Sequence, residues 1–411
     1  VPQRPPAGPK EAAVIHYWPL KKMDKSTRKR TVEGLERTRK LVAELMPGRT
    51  LQSTLVLGTW NLRNFDDNRF RDGPRMQESL FYIAEVISAF DVIAIQEICR
   101  DLTPFKKVMR LLGPAYDYIV TDVTEGPSGN RERLGFVYNT NKVRFRKVAG
   151  EIVLPWKDQI SDTTKQRQFA RTPFACAFQS GWFRFIFSTV HIYYGKKSQT
   201  SKEYKRRVKE IEAVAKFLVK LAKKEEDNYI LVGDFNIDHL GDPTGNALVD
   251  QGFKTTQNIL GSNSTKNKFY DQISWLPRQG AVRQAQSDKN SGVLDVLSAV
   301  LRDGDTDFEA YDPEVIATLN RKLARAEGKV RTAEAALDRA RSKNKPLDEK
   351  QADLDKARED VAEFKRLLAD KAARKEYYTD TWRTYQISDH LPLWVELEVD
   401  FSAEYLDGLK G

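Results

Sequence analysis

The chain has 411 residues, 40% hydrophobic and 31% charged, with 68 Lys+Arg against 58 Asp+Glu. That is enough apolar material for one large core, or for one core with an appendage. The net charge of +10 excludes an acidic, solvating chain and tilts toward a polyanionic partner, and no apolar run is long enough for a membrane span.

Residues 1–50 hold 12 Lys/Arg against 5 Asp/Glu and read as a basic extension, loose over its first ten residues. Within it a helix is expected from about Thr27 to Met46, packing through Leu35, Val42 and Leu45. The start, Val-Pro-Gln-Arg, shows no Met and no basic-plus-apolar leader, which leaves a secreted, periplasmic or cytoplasmic location open. The compact part is expected over 51–312 and 376–405. It opens on the strand-like run TLVLGTWNLR (54–63), then a helix near 76–89, the strand DVIAIQEI (91–98) and a helix near 101–111. Further strands are expected at YDYIVTD, RLGFVYN, RTPFACAFQ, FRFIFSTVHI and YILVGDFNI, with a helix at about 202–224. RLGFVYN and KVRFRKV read as a hairpin turning at Asn139-Thr140-Asn141. Several strands need burial on both faces, so two packed sheets with helices outside are expected. Cys99 and Cys176 lie in apolar runs and read as buried free thiols.

The segment 313–375 has a different texture. Ile316, Leu319, Leu323, Ala326, Val330, Ala333, Leu337 and Ala340 alternate at spacings of 3 and 4, and the pattern resumes at Leu347, Leu354, Ala357, Val361, Phe364 and Leu368. This heptad seam, broken by RSKNKP, predicts an antiparallel coiled-coil hairpin inserted between strands. Its charges are well mixed, which suits a solvated helix pair that contacts a protein partner or a second copy of the chain.

Five apolar runs deliver a polar residue near one end: Asn61, Glu97, His191, Asp234 with Asn236, and Asp389 with His390; Asp271 follows in FYDQISW. A sheet edge that gathers such groups is a place to build an active site. Carboxylates and carboxamides without a Cys cluster suit a hard, oxygen-liganded ion, Mg²⁺ or Mn²⁺, rather than structural zinc. With Arg171 and the basic surroundings the favoured substrate is a phosphate ester; a neutral-ligand or carbohydrate site, or no enzyme at all, stays open at this point.

The ordered series TWN…QE…RERLGFVY…RTPF…TVHI…GDFN…YDQI…SDHLPL resembles the endonuclease/exonuclease/phosphatase superfamily, which includes pancreatic-type deoxyribonuclease. The resemblance covers about 54–400 apart from the hairpin, and implies a four-layer α/β sandwich of two mainly antiparallel sheets with outer helices. It also implies that Glu97 is the main ligand of the divalent ion, with Asn61 and Asp389 in or near its shell and a second ion left open. His390, oriented by Asp271, would hydrogen-bond the scissile phosphate or help activate water, while Asp234 and Asn236 would position the attacking water. A Glu132–His191 pair, organised by Arg171, would let His191 protonate the departing 3′ oxygen. Retention of both carboxylate–histidine pairs leans toward non-specific nuclease chemistry.

Directly after His191, residues 194–209 hold seven Lys/Arg and one Glu. Lys196, Lys197, Lys202, Lys205 and Arg206, with Tyr193, are expected to follow a phosphate backbone without reading sequence. The expected function is therefore a divalent-metal-dependent DNA endonuclease of low sequence specificity, leaving 5′-phosphate and 3′-hydroxyl ends. The alternatives are a phosphoesterase for RNA, phosphoinositide, nucleotide or sphingomyelin, and, in another class, a non-catalytic interaction protein acting through the hairpin.

Overall fold

The structure is a computed structural model that describes residues 15–124, 131–160, 167–278 and 281–410. The first ten residues, read above as loose, lie outside the described residues. Contacts divide the chain into two compact units: one of 1–67, 77–300 and 388–411, the other of 68–76 and 301–387.

In chain order the first unit contains α1 (Lys25–Leu45), β1 (Thr54–Phe65), α2 (Gln77–Ile87), β2 (Val92–Cys99), α3 (Thr103–Leu112), β3 (Tyr116–Val120) and β4 (Glu132–Asn139). It continues with β5 (Arg144–Glu151), β6 (Phe174–Ser180), β7 (Phe183–His191), α4 (Lys202–Ala222), β8 (Asn228–Asp234), α5 (Pro243–Val249), β9 (Lys254–Thr255) and β10 (Asp271–Trp275). Two short strands follow, β11 (Arg283–Gln284) and β12 (Ser291–Val293).

The second unit holds α6 (Asp305–Ser342), α7 (Asp348–Ala369), α8 (Lys371–Tyr377) and α9 (Arg383–Gln386); β13 (Leu393–Glu398) and α10 (Ser402–Gly408) return to the first.

One sheet runs β11-β13-β1-β2-β4-β3, with β12 also beside β13; the other runs β5-β6-β7-β8-β10-β9. Pairing is antiparallel except for β1 with β2 and β7 with β8. The inner faces meet in one core, in which Leu55, Leu57, Phe136, Phe178, Phe187, Val232 and Val395 are all buried. Outside the second sheet, Ile211, Val214 and Leu218 of α4 pack on Tyr229 and Leu231. Outside the first, Phe105 of α3 meets Phe65 and Tyr118 edge-on. The expected α/β sandwich is the observed one. Burial of both strand faces explains why β1 and β2 read as continuous apolar runs rather than as alternating ones.

Two local expectations fail. RLGFVYN and KVRFRKV do not form a hairpin: β4 pairs with β2 and β3, whereas β5 pairs with β6 in the other sheet. The Asn139–Asn141 turn instead carries the chain between sheets. Its amides are spent on Asp91 O (from Asn139) and Ala115 O (from Thr140), which ends the first ladder there. In α1, Leu45 is exposed and the buried face is Thr31, Gly34, Leu35 and Thr38. The Arg30–Glu78 and Arg39–Glu85 ion pairs set the rotation of this helix on α2. A Cβ at Gly34 would sit 2.5 Å from the Tyr82 hydroxyl, so only glycine permits that approach.

In the second unit α6 and α7 form the expected antiparallel hairpin. Glu327–Lys365, Lys329–Asp360 and Glu334–Arg358 cross between the arms with falling partner numbers. Leu319, Ala326, Leu337, Ala340, Leu354 and Ala357 of the seam are buried. α6 begins at Asp305, ahead of the seam, and there Phe308, Tyr311, Tyr378 and Trp382 form an aromatic cluster. Asp72 accepts from Lys322 Nζ and from the Tyr377 hydroxyl, and the Lys322 and Asp72 side chains are only 14% and 4% exposed. Removing one partner strands a buried charge. Asp72→Ala is therefore expected to destabilise this unit by about 3 kcal/mol in urea unfolding followed by circular dichroism. An unchanged midpoint would show that Lys322 finds water instead.

Candidate active site

The strand directions assemble the site. Parallel neighbours finish at the same sheet edge, so β2 and β7–β8 bring Glu97, His191 and Asp234 there from at or near their last residues. Antiparallel neighbours begin at that edge, and β4 and β10 start on Glu132 and Asp271. His191, Asp234 and Asp271 lie in one row, since Asp234 is the register partner of both others. In the first sheet the β1–β2 register shifts after Asn61, and Glu97 sits in the left-handed region at φ 61°. That bulge turns the Glu97 carboxylate off the ladder and into the site.

Asn61 Nδ2 donates to Glu97 Oε1 and to Asp234 Oδ2, each at 3.0 Å. The Asn64 amide donates to Glu97 Oε2 at 2.6 Å. Asp271 Oδ2 is hydrogen-bonded to His390 Nδ1 at 2.7 Å and accepts from Ser262 Oγ at 2.7 Å. Glu132 Oε1 lies 2.6 Å from His191 Nδ1 and also meets Arg171 Nε. Each ring thus has its Nδ1 against a carboxylate and its Nε2 turned to Asp234 Oδ2, at 3.5 Å from His191 and 3.8 Å from His390. Asn236, at φ 55°, donates its amide to Asp234 Oδ1 at 2.9 Å and its Nδ2 to Ile192 O at 2.8 Å.

The two rings are pushed in opposite directions. Burial, reinforced by the Arg171 guanidinium, lowers His191 to about 4. Burial also opposes charge on His390, but the carboxylates of Asp271 and Asp234 outweigh it and hold that ring well above its ordinary range. Burial raises the Asp234 carboxyl against the pull of both histidines.

Because folding favours neutral His191, its contribution to stability is complete above the unfolded value of 6.5 and is lost as pH falls toward about 4. The full swing is about 3 kcal/mol. Melting curves of EDTA-treated protein between those limits should lose this acid-side slope in His191→Gln. An unchanged slope would assign it to other groups.

The structure gathers Asn61, Glu97, Glu132, Arg171, His191, Asp234, Asn236, Asp271 and His390 at this edge. Asp389 lies at the rim of this group: its side chain is 43% exposed, its Oδ2 lies 3.6 Å from Arg63 Nε, and its charge adds to those that raise His390. Asn61 Oδ1 accepts the Arg63 amide at 2.9 Å, so here Asn61 orients two carboxylates and does not offer them an oxygen. Lys196, Lys197, Lys202 and Lys205 are exposed, and Lys196 Nζ lies 3.3 Å from Glu203 Oε1. Arg206 is instead committed to Glu210 at 2.9 Å and stacks on Tyr193. Sequence reasoning missed Arg63, although it follows Asn61 closely in TWNLR, and Ser262, for which no sequence pattern gives a signal.

Glu97, Glu132 and His191 offer ligand atoms within 4.8 Å of one another, as do Asp234, Asp271 and His390, making two candidate metal clusters. The carboxylate oxygens of both clusters, with no thiolate beside them, fit a hard divalent cation. The convergence of Glu97 and Asp234 on one amide supplies the negative charge it would balance.

A model of the Endonuclease/Exonuclease/phosphatase family matches residues 58–281, which span these residues from Asn61 to Asp271. The chain belongs to this family. It is thus a metal-dependent phosphoesterase of the endonuclease/exonuclease/phosphatase type. A comparison with curated proteins finds no significant match. Among solved structures it is similar to a mannosyl-6-phosphatase, Bt3783, of Bacteroides thetaiotaomicron VPI-5482. That likeness is 21% identical over 59% of this chain and 90% of that one, with a TM-score of 0.44. The human Nocturnin catalytic domain with bound sulfate is 13% identical over 60% and 86%, at a TM-score of 0.42. TDP2 of D. rerio with single strand DNA product is 14% identical over 58% and 90%, at 0.40. No helix among the described residues of this family member is long and apolar enough to cross a membrane.

Proposed function

We propose that the protein is a Mg²⁺- or Mn²⁺-dependent nuclease that cuts DNA endonucleolytically with low sequence specificity, leaving 5′-phosphate and 3′-hydroxyl ends. One observation carries the reading: two histidine–carboxylate pairs, His191–Glu132 and His390–Asp271, aim their Nε2 atoms at Asp234 from two sides. A phosphodiester has an attacking oxygen and a leaving oxygen on opposite sides of phosphorus. A site with one oriented ring for each can move both protons. A phosphomonoester with a good leaving group needs less.

Glu97 would hold the ion, with Glu132 and Asp234 near it, and the ion would supply charge neutralisation at the non-bridging phosphate oxygens. Asn61 fixes the Glu97 and Asp234 carboxylates. Asp234, held by Asn61 and the Asn236 amide, orients the attacking water. Arg171 neutralises Glu132 and keeps the His191 ring in place. The exposed Lys196, Lys197, Lys202 and Lys205 supply phosphate contacts that carry no sequence information.

A second reading, a lipid-attached phosphoester, is favoured by one feature. Ile259 and Leu260 are 94% and 46% exposed at a tip that runs directly into Ser262, the partner of Asp271.

The test is cleavage of supercoiled plasmid with Mg²⁺ or Mn²⁺, repeated with EDTA, beside a matched RNA, a phosphoinositide and sphingomyelin in vesicles. Nicking and linearisation that stop with EDTA are expected. Release from lipid without plasmid cleavage would replace DNA by the second reading.

A further inference from the structure

Arg207 is a basic residue of α4 that does not face solvent: its side chain is 0% exposed. Its Nε donates to Tyr194 O at 2.9 Å, and Nη2 donates to Lys196 O at 3.0 Å. Its Nη1 donates to Asn236 O at 2.8 Å and lies 3.4 Å from Asp238 Oδ2. The ring of Tyr194 covers the guanidinium at 4.5 Å and that of Tyr204 at 5.1 Å. Asp238 in turn pairs with Lys268 at 3.0 Å, on the segment leading into Asp271.

The β7–β8 ladder stops at the His191–Asp234 partners. Beyond that point the two chains part. One carries Lys196 and Lys197 outward; the other carries Asn236, whose amide and side chain fasten Asp234 Oδ1 and Ile192 O. Beyond the Asn236–Ile192 bond, a planar fork ties the two segments together further out. The guanidinium can do this because its donors point in fixed directions; an ammonium is a point charge and cannot hold three carbonyls in one plane.

We infer that Arg207 is a positioning residue that sets the register between backbone phosphates held at Lys196–Lys197 and the scissile phosphate at Asp234 and Asn236. The inference rests on the polynucleotide reading above. It predicts that Arg207 matters for a long substrate and hardly for one that never reaches the lysines.

The test compares Arg207→Lys and Asp238→Asn in the full chain on a 30-base-pair duplex and on bis(p-nitrophenyl) phosphate. Lys196→Ala/Lys197→Ala serves as the reference. Misplacement by about an ångström costs on the order of 10²-fold. Arg207→Lys is therefore expected to lower kcat on the duplex by about that factor, with the small diester within about 3-fold of the parent. The salt dependence of duplex binding should stay as in the parent, because both lysines remain. The lysine reference should instead raise KM and reduce the log–log salt slope by about 2, roughly 0.9 per lost phosphate contact. Asp238→Asn should give a weaker loss of the Arg207→Lys kind, and it keeps the test open where Arg207→Lys does not fold. Equal losses on both substrates, or none on either, would overturn the positioning role while leaving the nuclease reading intact. A parent protein that cleaves the diester and shows no preference for duplex would overturn that reading, and this inference with it.

Discussion

Glu97→Gln is expected to lower kcat for plasmid cleavage by about 10³-fold while the protein stays folded. The substitution is nearly isosteric; Glu97 accepts from Asn61 Nδ2 at Oε1 and from the Asn64 amide at Oε2, and glutamine keeps one oxygen, so one of these two contacts is retained. What disappears is one negative charge, at the point where two carboxylates converge on Asn61. A divalent cation held chiefly by that charge should bind far more weakly. Titration with Mn²⁺ should show the affinity loss directly, apart from any activity. If Glu97→Gln binds Mn²⁺ as the parent does and cleaves at a comparable rate, the principal ligand lies elsewhere, and the Asp234, Asp271 and His390 cluster becomes the first alternative.

The second large effect concerns the two rings. His191→Ala and His390→Ala are each expected to cost about 10³-fold on DNA, within the usual range for one proton-transfer group. The double variant should lose little more than either alone, since groups that act on one transition state are not additive. An activated leaving group separates their roles. Replacing the departing oxygen by p-nitrophenolate removes the need for an acid, so the variant lacking the acid should recover most of its rate. Family resemblance assigns the acid to His191. The surroundings in the fold favour the reverse: His191 is kept neutral by burial and Arg171, whereas Asp271 and Asp234 keep a proton on His390. Recovery is therefore expected in His390→Ala and not in His191→Ala. Recovery in His191→Ala alone would restore the assignment from resemblance.

Much of the site was legible in the chain because strands announce their own ends. Asn61, Glu97, His191 and Asp234 each close an apolar run or sit near its end, and the seam of Leu319, Ala326, Leu337 and Ala340 declares a helix pair by spacing alone. Such signals are local, since a side chain's neighbours along a strand or helix are fixed by the period of that element. The β4–β5 connection was misread because a short Asn-rich turn has the same sequence whether it folds a strand back or carries it to another sheet. Only the acceptors waiting on Asp91 and Ala115 distinguish the two.

The sequence by itself determined the family, the packed-sheet architecture, the helical insertion and the residue types of the active edge. Each of these follows from periodicity and from motifs a few residues long. Tertiary structure alone decided that Asp389 faces Arg63, that Asn61 serves two carboxylates, that Arg206 is spent on Glu210, and that buried Arg207 ties Lys196 to Asn236. It alone decided, too, the opposite charging of His191 and His390. The physical reason is common to all of them. Hydrogen bonding and desolvation depend on which atoms lie within a few ångströms, and here those atoms come from segments far apart in the chain.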